Sequence, residues 1–239
     1  MSVPAIHFEN VRKLFGRVVA VDRVDLTIER GSFVGIIGHN GAGKSTSLRM
    51  LMGLVRPTEG RVLVQGVDVH QQPLEARRRV GAVPEESAVY PYLTAREFLE
   101  FVAEVRGGGD VERALELTGL GEDADRLLRE YSQGMRRKTA LAAALVGNPP
   151  VLVLDESLNG LDPPSAARVK ATLRALVDEG TTVLLSTHVV DTVQAAADRV
   201  IMLAHGRVVA DVQTASLGVG ELERLFLERL EQSQEAGRR

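Results

Sequence analysis

One stretch, residues 38–46, constrains the fold of this chain more than any other. Its residues are Gly38, His39, Asn40, Gly41, Ala42, Gly43, Lys44, Ser45 and Thr46, which fit the pattern G-x-x-x-x-G-K-[ST]. The stretch follows an apolar run that predicts a strand, Phe33–Ile37, and it opens a run with a helical pattern, Lys44–Leu54. In such a loop, backbone N–H groups surround phosphate oxygens, and the helix N-terminus adds partial positive charge. The alternative, a Gly-rich turn before a helix, does not explain why all three parts occur in register.

Short, continuously apolar runs alternate with helical patterns along the rest of the chain. Such runs are typical of strands that are buried on both faces of a sheet. Four more are found, at Val80–Val83, Val151–Leu154, Val183–Leu185 and Val200–Leu203. Helical patterns cover Ala95–Arg106, Val111–Leu117, Gln133–Val146 and Ser165–Glu179. The alternation predicts an α/β domain with a mainly parallel central sheet.

Three regions depart from this alternation. Residues 6–28 alternate in strand fashion around a turn at Gly16, which predicts an antiparallel β portion. From about residue 85 to residue 148 helices follow one another, which predicts an inserted helical subdomain, with Asp110 as a helix N-cap. A C-terminal helix is predicted over about residues 221–235, with Leu222, Leu225, Phe226 and Leu230 on its docked face.

Composition excludes several functions. The 239 residues include 29 Lys and Arg against 32 Asp and Glu, so the formal net charge is −3 and no nucleic-acid partner is expected. The absence of Cys excludes disulfides, a thiol nucleophile and a cysteine zinc site. The longest uncharged run, Thr139–Leu154, is interrupted by prolines and falls short of the roughly 20 apolar residues of a spanning helix. The N-terminus lacks the pattern of a secretory signal, so we expect an intracellular protein.

Two acids follow the predicted strand Val151–Leu154. Asp155 and Glu156 would face the phosphate loop, because ligands of a parallel sheet gather at the carboxyl ends of its strands. Lys44 would reach the β- and γ-phosphates, and the Ser45 hydroxyl and Asp155 would hold Mg²⁺. Glu156 would polarise the attacking water. A surface turn is the alternative reading of two acids after a strand.

Two further segments bear on which nucleotide hydrolase this is. Residues 131–135 precede a helix whose first turn carries Arg136, Arg137 and Lys138, although cations are favoured at the other end of a helix. Their position is explained if an anion docks there, with Ser132 as N-cap. His188 follows another predicted strand, where an imidazole could contact a γ-phosphate or the water.

In this order and spacing, the motifs resemble the ATP-binding subunit of an ABC transporter over essentially the whole chain. Tyr131, Ser132, Gln133, Gly134 and Met135 stand in place of the family signature L-S-G-G-Q. The resemblance implies one ATP-binding domain over residues 1–239, with a P-loop NTPase core. It implies catalytic roles for Lys44, Glu156 and His188, and nucleotide contacts from the phosphate loop, Phe15, Ser132, Gly134 and Asp162. A core phenylalanine is the alternative reading of Phe15.

The chain departs from the family pattern at four places, with the signature counted as one. His39 and Ser157 each replace a common proline, and Gln133 and Met135 depart from the signature. A signature of this kind resembles subunits that serve drug, antibiotic or ion exporters. Glu85 stands where the family usually places a glutamine that offers an amide oxygen to Mg²⁺. We expect Glu85 to add a second carboxylate to the metal side of the site, and the alternative is that it turns to solvent.

The resemblance implies an ATPase that binds Mg²⁺ and ATP, dimerises around ATP and drives a separate integral-membrane permease, with export as the direction of transport. The second ATP-binding subunit would be an identical or a sister chain, and the location would be the cytoplasmic face of the membrane. The alternative function is a soluble ABC-type ATPase that is not coupled to transport. A chromosome ATPase of related fold would carry a long heptad insertion, and a binding module without turnover would be expected to lack Glu156 or His188.

Overall fold

The computed structural model describes residues 3–86, 89–218 and 220–236. The strands, in chain order, are β1 (Ile6–Phe15), β2 (Val18–Ile28), β3 (Phe33–Ile37), β4 (Glu59–Val64), β5 (Val67–Asp68), β6 (Val80–Val83), β7 (Val151–Asp155), β8 (Thr182–Thr187), β9 (Arg199–Ala204) and β10 (Arg207–Gln213). The helices are α1 (Lys44–Leu51), α2 (Pro73–Arg78), α3 (Ala95–Arg106), α4 (Val111–Thr118), α5 (Gln133–Leu145), α6 (Pro163–Asp178), α7 (Val190–Gln194) and α8 (Glu221–Ala236).

The strands form two sheets within the described residues. The larger sheet has the order β10-β9-β3-β8-β7-β6, in which β9, β3, β8, β7 and β6 run parallel and β10 pairs antiparallel with β9. The smaller sheet is antiparallel, with the order β2-β1-β4-β5. The predicted α/β class, mainly parallel sheet and antiparallel β portion are therefore confirmed.

The core lies on both faces of the larger sheet. Successive residues of a strand point to opposite faces, and β3 shows this directly. Phe33 and Ile37 belong to the buried cluster that also contains residues of α3, α4, α5 and α6. Val34 and Ile36 belong to a second cluster, shared with α1 and the smaller sheet. Burial on both faces explains why the central strands are continuously apolar in sequence.

Helices α3, α4 and α5 come between β6 and β7, as the helical pattern of residues 85–148 predicts. Gly107 ends α3 in the left-handed region, and the side chain of Asp110 caps α4 by accepting from the backbone N–H of Arg113. Thr94 and Glu97 form a reciprocal capping box at the start of α3. Assignment of residues 85–148 as a separate subdomain stays a prediction.

The terminal helix α8 docks on the core. Leu222 is fully buried, and Leu225 and Phe226 are partly buried against the cluster that contains Phe33. Among the described residues, no helix has the length and apolar character that a bilayer crossing requires.

Some predicted boundaries are wrong by a few residues, and some elements were not predicted. Helix α1 ends at Leu51 rather than Leu54, because Gly53 takes a φ of 71° that a helix cannot continue. Helix α6 begins at Pro163 rather than Ser165, because Asp162 caps it and proline suits a first turn. Sequence analysis did not predict β4, β5, β10, α2 and α7, which are short or half exposed.

Gly81 allows α5 to lie against β6. A Cβ on Gly81 would be 2.3 Å from the Ala144 carbonyl oxygen and 2.7 Å from Cγ of Pro149. We expect Gly81→Ala to lower the free energy of unfolding by about 1–3 kcal/mol, because strand and helix must separate. Urea unfolding measures this. Gly121→Ala is the control, since its Cβ would meet nothing within 4 Å. Equal urea midpoints for the two variants would contradict the close approach.

Candidate active site

The candidate site lies at the carboxyl edge of the larger sheet. A cleft of about 460 Å³ opens there between the phosphate loop and the β1–β2 hairpin. Its lining residues are Phe15, Val18, Val19, Ala20, His39, Asn40, Gly41, Ala42, Gly43, Lys44, Ser45, Thr46, Glu85 and Glu156. The strand-loop-helix context predicted for the phosphate loop is confirmed, because the loop joins β3 to α1.

The backbone of the phosphate loop is shaped for an anion. Gly41 and Gly43 have φ values of 82° and 103°, which favour glycine. A Cβ on Gly43 would also lie 2.6 Å from the Ala20 carbonyl oxygen, so a side chain cannot fit there. Gly43 is the N-cap of α1 and supplies no side-chain cap, so the first N–H groups of the helix have no capping side chain. These N–H groups and the helix dipole form an anion site.

Lys44 is buried beside this loop. Its ammonium donates to the carbonyl oxygen of Gly38 at 2.7 Å and forms an ion pair with Oε1 of Glu156 at 3.4 Å. Both side chains are less than a tenth exposed. A buried charge is tolerated when it is paired and hydrogen-bonded, and Lys44 and Glu156 satisfy each other in this way.

Glu156 is held on both carboxylate oxygens. Oε2 accepts from Nδ2 of Asn159 at 2.7 Å and lies 3.0 Å from Nδ1 of His188. Burial by itself raises the pKa of Glu156. The hydrogen bond from Asn159, the charge of Lys44 and the contact with His188 outweigh this, so its pKa lies below the usual value. Glu156 is therefore ionised at neutral pH and able to accept a proton.

Asp155 is held by two hydroxyl groups. Ser45 donates to its Oδ1 at 3.2 Å, and Ser186 donates to the same oxygen at 2.5 Å. Within the described parts of the chain, no cluster of three or more His, Cys, Asp or Glu residues is arranged to hold a metal ion. One carboxylate and one hydroxyl nevertheless fit Mg²⁺, which prefers oxygen ligands and takes its others from water and phosphate.

Ser186 and Asn159 are site residues that sequence analysis did not assign. Besides donating to Asp155, Ser186 Oγ accepts from the backbone N–H of Glu156 at 3.2 Å. Glu156 has a φ of 49°, a conformation that is uncommon for a residue with a side chain. The only sequence signal for Ser186 is its place two residues before His188 at the end of β8, and Asn159 has no such signal.

Phe15 lies at the rim of the cleft. Its side chain is 51% exposed, so the alternative reading of a core phenylalanine is wrong. The Lys13 ammonium lies 4.9 Å from the centre of the ring. An exposed aromatic ring beside a phosphate loop is suited to stack on a nucleobase.

Glu85 also lines the cleft, and it is exposed. Among the described residues, it makes no hydrogen bond or ion pair with Ser45 or Asp155. The structure therefore brings Glu85 to the cleft without joining it to the two predicted metal ligands, and its metal role stays a prediction.

Ser132, Gly134 and Asp162 lie outside the cleft that the described residues form. Ser132 is the predicted N-cap of α5, and this is confirmed because its Oγ accepts from the N–H of Met135 at 3.2 Å. Asp162 caps α6, and its hydrogen bond from the backbone N–H of Ser165 lowers its pKa. The chain therefore carries two separate groups of predicted nucleotide contacts.

Arg136, one of the three cations at the start of α5, has hydrogen-bond partners within the chain. Arg136 donates to the carbonyl oxygens of Leu128 and Arg129, and Arg137 lies against Gly160. Carbonyl oxygens of the preceding 3-10 turn thus engage Arg136, so a docked anion is not required to explain its position.

Comparison with known proteins agrees with this geometry. The sequence pattern of the family described as ABC transporter matches residues 21–159. The chain is 43% identical over 219 residues to the daunorubicin/doxorubicin resistance ATP-binding protein of Streptomyces peucetius, covering 89% of this chain and 66% of that protein. It is 34% identical to the bacitracin transport ATP-binding protein of Enterococcus faecalis, covering 89% of this chain and 70% of that protein. The chain thus spans about two thirds of the length of these relatives.

Solved structures show the same architecture. An ATP-binding subunit of an ABC transporter superposes with a TM-score of 0.86 at 27% identity, covering 94% of this chain and 99% of that chain. The ATP-binding cassette MJ0796, solved as a dimer in a post-hydrolysis state bound to ADP and Pi, superposes with a TM-score of 0.80 at 28% identity. That match covers 87% of this chain and 98% of the other.

Ser186 supports both acids, which leads to a prediction. Ser186→Ala removes a donor to Asp155 and an acceptor for the Glu156 N–H. Loss of such a supporting group typically lowers activity or metal affinity by about 10–100-fold. We expect a fall of this size in ATP turnover, measured as phosphate release over a Mg²⁺ titration. Ser216→Ala, in the surface turn after β10, is the control. Equal turnover in the two variants would show that the Ser186 hydroxyl is dispensable.

Proposed function

Since the chain belongs to the ABC transporter family, we propose that it is the ATP-binding and ATP-hydrolysing subunit of an exporter. One observation carries the catalytic part of this proposal. Lys44 contacts Glu156, and Ser45 contacts Asp155, so the four side chains meet beside the phosphate loop. A phosphate-binding lysine, two oxygen ligands for a metal and an ionised base are the groups that ATP hydrolysis requires.

ATP would bind in the cleft with its base on Phe15 and its phosphates on the loop. The N–H groups of residues 40–46 and the Lys44 ammonium would hold the phosphate oxygens. Ser45 and Asp155 would hold Mg²⁺, with Glu85 at the rim as a further carboxylate, and the ion would neutralise phosphate charge.

Phosphate binding would also change the partners of Glu156. Lys44 is shared between carbonyl oxygens of the loop and Glu156, and phosphate oxygens would compete for it. Glu156 would then keep its hydrogen bonds from Asn159 and His188 while one carboxylate oxygen becomes free to accept a proton from water. Because a carboxylate only accepts, Nδ1 of His188 carries the proton in this contact.

Glu156→Gln tests the catalytic role. The amide keeps the shape of the side chain but is a much weaker base, so hydrolysis should fall by about 10²–10⁴-fold while ATP still binds. Phosphate release measures turnover, and equilibrium dialysis with labelled ATP measures binding. Glu122→Gln, in an exposed 3-10 turn, is the control. Near-native turnover in Glu156→Gln would remove Glu156 from the catalytic role.

A second ATP-binding subunit would complete the site. Ser132, Gly134 and Asp162 lie outside the cleft of their own chain, and the N-terminus of α5 with its serine hydroxyl is suited to a phosphate. In a head-to-tail pair, these residues would close over ATP bound to the phosphate loop of the other chain. That the solved structure of MJ0796 is dimeric supports pairing of two such chains.

Assembly can be tested directly. With Mg-ATP, the Glu156→Gln protein should dimerise, because it retains the nucleotide that joins the two chains. Adding Ser132→Arg should prevent this, since it places bulk at the shared site, whereas Ser216→Arg on a distant turn should not. Light scattering with and without ATP measures the masses. A Glu156→Gln protein that stays monomeric alone, and with any sister subunit supplied, would contradict the shared site.

A separate membrane permease would dock on a largely apolar groove between the end of α1 and helices α3 and α5. The groove has a volume of about 380 Å³ and is lined by Met52, Leu54, Arg77, Val80, Ala82, Pro84, Val102, Arg106, Ala143 and Ala144. Leu54, which lines the groove, is more than 60% exposed, and so are Tyr92 and Val105. Pro84 lines the groove while the next residue, Glu85, lines the cleft. A permease helix in this groove would therefore contact a residue that directly precedes a residue of the nucleotide cleft.

The names of the relatives favour export as the direction of transport. They include a resistance protein for daunorubicin and doxorubicin and a Nod factor export protein of Burkholderia lata. On this proposal the chain acts at the cytoplasmic face of a membrane, held there by its permease. No observation on the described residues favours an ATPase uncoupled from transport.

A further inference from the structure

The loop that follows Glu156 lies against the start of α5. A Cβ on Gly134 would be 3.7 Å from Cδ2 of Leu161, so the two segments are in contact there. Closer to Glu156, a Cβ on Gly160 would be 2.6 Å from Nη1 of Arg137 and 3.4 Å from its Cζ. The Arg137 guanidinium thus packs on the backbone of Gly160, whose φ of 73° also favours glycine.

Among the described residues, two polar atoms in this region are buried without a hydrogen-bond partner in the protein. They are Nη1 of Arg137 and Oγ of Ser157. Ser157 is 7% exposed. A buried donor or acceptor without a hydrogen bond is unfavourable, and few such atoms remain in folded proteins. Both residues line the same small cavity, whose other lining residues are mostly apolar.

The cavity has the size of one water molecule. It has room for a water molecule, whose centre could lie anywhere within about 10 Å³. A water there would accept from Nη1 of Arg137 and donate to Oγ of Ser157, so both orphan atoms would be satisfied. The remaining cavity wall is formed by side chains such as Leu141, Leu154 and Val169.

We propose that Arg137 is a positioning residue for Glu156, acting through this bridging water and through its packing on Gly160. The loop it holds contains Asn159, which donates to Oε2 of Glu156 at 2.7 Å. Contacts therefore run without a break from the start of α5, where Ser132 and Gly134 lie, to the carboxylate of Glu156. This inference rests on the proposed ATPase function, because Glu156 is the group that it positions.

The first test compares two arginines that each lie beside a glycine. Arg137→Met keeps most of the side-chain volume but removes the donors. We expect kcat for ATP hydrolysis to fall about 10–100-fold, as for other supporting groups, with KM for ATP within about twofold of wild type. Arg168→Met is the control. Nη1 of Arg168 lies 3.6 Å from a Cβ on Gly119, and Arg168 lies on α6 rather than beside the loop that holds Asn159.

Outcomes of this comparison are distinct. An unchanged kcat in a folded Arg137→Met protein overturns the proposal, even if its melting temperature falls, because Arg137 is then only structural. If Arg137→Met does not fold, Arg137→Lys keeps the charge and the stem but lacks Nη1, and the same fall in kcat is expected. A wild-type chain that hydrolyses no ATP with any partner would instead contradict the proposed function.

A double-mutant cycle tests the bridging water itself. Ser157→Ala removes one of its two partners and should lower kcat about threefold to tenfold, by the same loss of support. If one water links the two side chains, the double variant should be no slower than Arg137→Met, because the link can be lost only once. Effects that multiply in the double variant would show that Arg137 and Ser157 act separately and would overturn the bridge.

Discussion

The parallel register of β3, β8 and β7 brings distant parts of the chain to one edge of the sheet. Ile37 pairs with Thr187, and Ser186 pairs with Asp155. Because parallel strands end at the same edge, the phosphate loop, His188 and the two acids follow these strands into one region. The ion pair of Lys44 with Glu156 and the hydrogen bond of Ser186 to Asp155 both depend on this register. A shift of a single residue would send these side chains to the other face.

Charge in this region is buried but balanced. Lys44, Asp155 and Glu156 are each less than a tenth exposed, and each has a partner within the site. The partners of Glu156 keep it ionised although it is buried, and Lys44 lies close to where phosphate would bind. Binding of phosphate would therefore replace one partner of Lys44 by another and would not leave an unpaired charge in the interior. This is the physical basis for coupling nucleotide binding to the state of Glu156.

The predicted nucleotide contacts on α5 and on the loop after β7 lie outside the cleft that the described residues form. Ser132 and Asp162 use their side chains as helix caps, and neither lines the cleft. In the proposed pair, phosphate bound to a second chain would lie against these caps, and contacts of α5 with Gly160 and Leu161 connect that surface to Glu156. On the proposals above, closure of one ATP site against the start of α5 would thus affect the position of Glu156 in the same chain, which serves the other ATP site.

The sequence by itself determined the fold class, the phosphate loop and the acids after β7, because a strand buried on both faces and a Gly-rich loop each leave a local pattern. It also determined the helix caps at Asp110 and Ser132, since a cap depends on neighbours in the chain. Tertiary structure decided what touches what across the sheet. Ser186 and Asn159 contact the two acids, Phe15 is exposed rather than core, and Arg136 donates to carbonyl oxygens of the preceding turn. The contacts of Ser186 and the place of Phe15 depend on residues distant in the chain, and those of Asn159 and Arg136 depend on the shape of turns. None of them leaves a periodicity that a single sequence displays.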